Sequence, residues 1–133
     1  MSGETDIKAL LKTMSPKLNA GGYVFCTIGT ISAIDASSII GSFREEEGWT
    51  VILSKELADK LTYPYTYVAA WITLTVHSSL EAVGLTAAFA AALAKQAISC
   101  NVIAGYYHDH IFVDQKDADM AIDVLKQLSA DNL

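Results

Sequence analysis

The chain has 133 residues, 52% of them apolar, and carries a net charge of −6 with Arg44 as its one arginine. That composition supports a packed core and excludes a disordered chain. The acidic balance, without a cluster of bases, argues against nucleic acid or an anionic membrane as partner.

Ile7, Leu10, Leu11 and Met14 fall at helical spacing in the first segment, which Ser15-Pro16 closes. Asn19-Ala20-Gly21-Gly22 reads as a turn. Tyr23 to Ile28, rich in aromatic and β-branched residues, reads as a strand. A helix is expected over roughly Ser37 to Glu47, stopped by Gly48. A strand over Trp49–Leu53 follows, and then a short helix capped by Ser54 and running through Leu61. Tyr63-Pro64-Tyr65 joins the two halves of the chain.

The second half opens with a strand over Thr66–Val76, with Val68, Ala70, Ile72 and Leu74 on one face and Tyr67, Trp71, Thr73 and Thr75 on the other. This strand lies in the run Leu61 to Leu80, which has no charged residue, but Pro64, its hydroxyls and its period-two alternation argue against a membrane span. A loop over His77–Gly84 leads to an alanine-rich helix, Leu85–Ala97, and a strand, Ile98–Tyr107. A tight turn at His108-Asp109, a strand over His110–Val113 and an amphipathic helix over Lys116–Leu128 complete the order. Tyr23–Ile28 and Trp71–Val76 form a weak internal repeat, each followed by loop, helix and strand. Cys26 and Cys100 lie in apolar runs and read as free thiols acting as small hydrophobes. The segment Met1–Lys17 does not read as a secretion signal.

Two groups of residues carry candidate chemistry. In the His77–Gly84 loop, Ser78, Ser79 and Glu81 precede a helix whose first N–H groups, at Val83, Gly84 and Leu85, favour a carboxylate. The hydroxyls add donors and Glu81 would take an ammonium group, so the loop suits an amino acid; the plain alternative is a helix cap. His108-Asp109-His110 is the second group. Its two imidazoles on one strand face would need His77 and a fourth ligand to hold a metal, and none has the spacing, so no metal and no cofactor is expected. No nucleophile elbow, phosphate loop or Cys–His pair is present, so no catalytic residue is assigned.

The run Glu81-Ala82-Val83-Gly84-Leu85-Thr86-Ala87-Ala88-Phe89, with Leu93 to Ile103 and Asp109-His110-Ile111-Phe112-Val113, resembles an ACT domain. A glycine opens the helix, Leu93 lies nine residues on, the helix passes through Ala97-Ile98-Ser99 into a strand, and a hairpin and an acidic helix follow. The segment is particularly similar to the ACT domains of aspartokinases and of cytosolic arginine sensors; the first half is similar in architecture alone. The resemblance implies an α+β, ferredoxin-like fold of tandem ACT-like modules, an atypical one over residues 1–65 and a second over 66–133, with antiparallel sheets covered by helices. It implies a bacterial, cytoplasmic, non-catalytic regulatory or sensing protein that binds a small molecule, an amino acid, works as a homodimer and acts on another chain. In the arginine sensors the acid before a histidine contributes to the ligand site, and Asp109 matches it here. The expected site lies where the Ser78–Leu85 loop meets the turn at Asp109 or the facing half of the chain, and its two acids, Glu81 and Asp109, call for a ligand with an ammonium or guanidinium group. The rival expectation is an interaction module that dimerises through Tyr67, Trp71 and Tyr107 and binds no ligand.

Overall fold

The computed structural model describes residues 6–75 and 83–131. Along the chain these form α1 (Ile7–Thr13), β1 (Pro16–Ile28), β2 (Gly41–Glu45), β3 (Gly48–Ser54), α2 (Lys55–Leu61), β4 (Val68–Leu74), α3 (Leu85–Ala94), β5 (Asn101–Ala104), β6 (Asp109–Asp114) and α4 (Ala118–Ala130). Two compact units result: one from residues 1–20 and 70–133, the other from residues 21–69. Among the described residues no helix is long and apolar enough to cross a membrane.

In the first unit the strands run in the order β1, β4, β6, β5, with β5 and β6 antiparallel and Asn101 opposite Phe112. Leu10, Leu11 and Met14 of the α1 segment, Leu85, Phe89 and Leu93 of α3, and Ala121 and Leu125 of α4 bury a core with Ala70, Ile72, Leu74, Ile111 and Val113 of the sheet. Asp6 caps α1, its carboxylate accepting from the Lys8 N–H at 3.0 Å. α3 ends at Ala94, earlier than the alanine-rich pattern suggests. Ala97 takes a left-handed backbone (φ 57°), the Ile98 N–H donates to the Leu93 carbonyl at 3.1 Å, and buried Ile98 closes the helix end.

In the second unit β2, β3 and the later part of β1 are antiparallel, with Val24 opposite Leu53 and Phe43 opposite Thr50. Val24, Cys26, Ile28, Ile34, Val51, Leu53 and Ala58 form its core. Ser54 caps α2 as expected, its Oγ accepting from the Leu57 N–H at 3.2 Å.

Two local expectations are corrected. The segment read as a helix over Ser37–Glu47 contains a 3₁₀ turn at Ala36–Ser38 and then strand β2, joined to β3 by a turn at Glu46-Glu47. Helix-favouring charges mislead here because strand pairing decides: Glu45 faces Gly48, and the Thr50 hydroxyl donates to the Glu45 carboxylate. Gly48 has φ 141°, and a Cβ there would stand 2.8 Å from the Ile28 carbonyl oxygen, so the position requires glycine. Glu45, Glu46 and Glu47 therefore sit at a hairpin and not at a helix end. Asn19–Gly22, read as a turn, lies within β1; Gly21 adopts φ 97° without reversing the chain, while the Asn19 amide is tied to β4.

Candidate functional site

Of the loop residues, Ser78, Ser79 and Glu81 lie outside the described residues. Val83 is exposed, and Gly84 opens α3 with φ 97° and brings no capping side chain. Leu85 is buried in the core, so what it offers outward is its backbone N–H. Gly84 lies close beside Ile7.

Asp109 opens β6, opposite Ala104. The preceding turn closes through the Gly105 N–H, which donates to the His108 carbonyl at 2.9 Å. A Cβ on Gly105 would lie 2.8 Å from that carbonyl oxygen and 3.3 Å from His110 Nε2, so the turn passes too tightly for a side chain. Asp109 is 6% exposed, and no described group donates a hydrogen bond to its carboxylate. Burial pushes its pKa up, against the opposing pull of His110 and His108. Nδ1 of His108 is also buried and has no hydrogen-bond partner among the described residues. A largely buried carboxylate and a buried ring nitrogen without a partner among the described residues thus follow one another at the start of one strand. Gly84 and Asp109 share no hydrogen bond or ion pair among the described residues.

The other face of the same strand is fully engaged. Trp71 Nε1 donates to His110 Nδ1 at 3.1 Å, and the Thr73 hydroxyl lies 3.3 Å from the same nitrogen. The Asn19 amide donates to Thr73 Oγ1 at 3.0 Å and to the Trp71 carbonyl at 3.2 Å. Trp71 also stacks on Phe112, with ring centroids 6.1 Å apart. An indole N–H can only donate, so His110 Nδ1 carries no proton and the neutral ring holds its proton on Nε2. Sequence periodicity places Trp71, Thr73 and His110 on strand faces; it carries no signal that Asn19, placed in a turn, would tie to them.

The His110 pKa is lowered, by burial first and then by His108, with Asp109 opposing. The unfolded chain therefore takes up this proton more readily. The histidine's contribution to stability is complete above the unfolded value near ~6.5 and is lost as pH falls through the folded value. Melting temperature is expected to drop between about pH 7.5 and 5.5, and His110→Gln to drop less over the same window. In a Trp49→Phe background Trp71 is the one tryptophan, and its fluorescence should titrate with a midpoint below ~6.5; a flat profile would dismiss the Trp71–His110 link.

Burial pushes the Cys100 thiol to about 11 and also raises Cys26, which leaves both protonated at neutral pH. No group of histidines, cysteines and acids suited to a metal ion occurs among the described residues.

A family model described as an ACT domain matches residues 2–70, and a second, also described as an ACT domain, matches residues 67–127. A crystal structure from Vibrio cholerae, of a protein of unknown function described as a possible transport protein, is 49% identical. It covers 92% of this chain and 95% of its own, with a TM-score of 0.84. A protein from Agrobacterium tumefaciens is similar in fold, at 16% identity and TM-score 0.64, covering 87% of this chain and 89% of its own. So is the ligand-free regulatory subunit of aspartate kinase from Thermus thermophilus, at 10% identity and TM-score 0.64, covering 89% of this chain and 97% of its own. No curated protein matches the chain.

Proposed function

The chain belongs to the ACT domain family of regulatory ligand-binding modules, and on that premise we propose that it binds an amino acid carrying an extra cationic group and regulates a partner without catalysing a reaction. One observation carries the reading: Asp109 is 6% exposed, with no donor to its carboxylate among the described residues. Removing a carboxylate from water is costly, and a ligand that brought the opposite charge would offset that cost. The His108 Nδ1 beside it offers a further polar contact. Ser78, Ser79, Glu81 and the N–H groups of Val83, Gly84 and Leu85 are proposed as the second part of the site, toward the ligand's α-carboxylate and α-ammonium groups. Action as a homodimer in the cytoplasm belongs to the same proposal.

A thermal-shift screen of the whole chain against the twenty amino acids tests it. At a hundredfold excess over Kd a ligand adds about 2.7 kcal/mol to stability, a shift of several degrees. Arginine, lysine or a related cation should score, and a simple dicarboxylate should not. If no amino acid moves the melting point, the interaction-module reading takes the place of this one.

A further inference from the structure

The second unit carries a cleft that belongs to neither group of residues above. Its volume is about 440 Å³, within the ~300–1,000 Å³ range of small-molecule sites. Between β1 and β2 the chain makes two three-residue 3₁₀ turns, Ile31–Ala33 and Ala36–Ser38, in place of a helix. Asp35 fixes the second, accepting from the Ser37 N–H at 3.1 Å and from its hydroxyl at 3.0 Å. Ser37, Ser38 and Ile40 form one wall of the cleft, and α2 forms the other through Leu57, Glu56 and Lys60.

Helix α2 places two acid–base pairs at i,i+4. Lys55 and Asp59 close into an ion pair at 2.8 Å, and the Tyr65 hydroxyl donates to the same carboxylate at 2.7 Å. Glu56 and Lys60 have the same spacing, with the acid toward the helix N-terminus, the more favourable order. Among the described residues they form no ion pair, and both line the cleft. The cleft thus presents one anion and one cation about one helical turn apart, ~6 Å along the axis, over the apolar side chains of Ile40 and Leu57.

We propose that this cleft is a second binding site, for a small zwitterion with a short apolar side chain. Glu56 receives the ammonium group, Lys60 the carboxylate, and Ile40 and Leu57 the side chain. The serine hydroxyls of the facing wall complete the polar contacts. The proposal is independent of the reading of Asp109, because every residue used lies within residues 21–69.

Calorimetric titration of the full chain with L-alanine and L-valine, in an Asp109→Asn background, isolates this cleft. Saturable binding is expected, weakened at least tenfold by Glu56→Gln and again by Lys60→Gln. Both residues are exposed, so melting curves of the two variants should match the parent. Absence of binding by both probes, or binding that neither substitution weakens, overturns the proposal. Loss of binding through Asp109→Asn alone, with Glu56→Gln and Lys60→Gln neutral in the unsubstituted chain, would place these probes at Asp109 and equally overturn it.

Discussion

Replacing Phe89 with alanine is expected to lower the stability of the protein by about 3–5 kcal/mol. Phe89 is at the middle of α3 with no exposed surface, and it is among the largest fully buried side chains. Its helix offers little to refill the space. Leu85 and Leu93, a turn away on either side, are already buried, and the positions between are largely alanine. The opposing sheet side chains, Ile72 and Ile111, are held by strand geometry. A void lined by such neighbours collapses only partly, which puts the expected loss at the upper part of the range for apolar truncations. Since domains of this size are stable by only ~5–15 kcal/mol, the variant should unfold early in denaturant. Urea unfolding followed by circular dichroism checks this; a loss below about 1.5 kcal/mol would mean that α3 repacks.

The second large effect concerns Asp109, where stability and binding should move in opposite directions. Its folded pKa is raised, so its contribution to stability is present below the unfolded value near ~3.9 and is lost as pH rises through the folded value. At neutral pH the carboxylate is a burden to the ligand-free protein. Asp109→Asn removes the charge at nearly constant shape and should raise the melting temperature at pH 7. The same change, or Asp109→Ala, should weaken a cationic ligand by about 1.5–3 kcal/mol if a charge-assisted hydrogen bond is lost, roughly 10- to 150-fold in Kd. Thermal melts and calorimetry on one pair of samples give both readouts. A purely structural Asp109 would show the reverse pattern: lower stability and no binding to lose.

The helices were legible because their ends carry chemistry as well as period. Ser54 caps as its residue type requires, and Leu85, Phe89 and Leu93 recur at the spacing that a buried stripe demands. The ferredoxin-like fold was legible through Gly84, Leu93 and the hairpin around Asp109. β2 was not, for a physical reason. Ser42, Phe43, Arg44 and Glu45 are all exposed on an outer strand, so no alternation between apolar and polar residues marks them. The charged run Arg44–Glu47 then favours helix locally, and only pairing with β3 reverses that preference. At the candidate site, Asp109 could be named from its position before His110. That its side chain is largely buried depends on packing by residues distant in sequence, which no local pattern records. The bond from Trp71 to His110 spans 39 positions and is invisible for the same reason.

The interleaving of the two units has a consequence for synthesis. Residues 21–69 form a unit continuous in sequence, with its own buried cluster around Val24, Val51 and Leu53, while residues 1–20 belong with residues 70–133. Residues 6–20 are therefore synthesised before the unit that separates them from their partners, and must wait for those partners while it is made. Leu10, Leu11 and Met14 cannot complete their core until Ala70, Ile72 and Leu74, then Phe89 and last Leu125 have been made, and by that time the intervening unit is already complete in sequence and free to close. Until those partners are made, Leu10, Leu11 and Met14 remain uncovered apolar residues on the nascent chain, and there a ribosome-associated chaperone would find its natural hold.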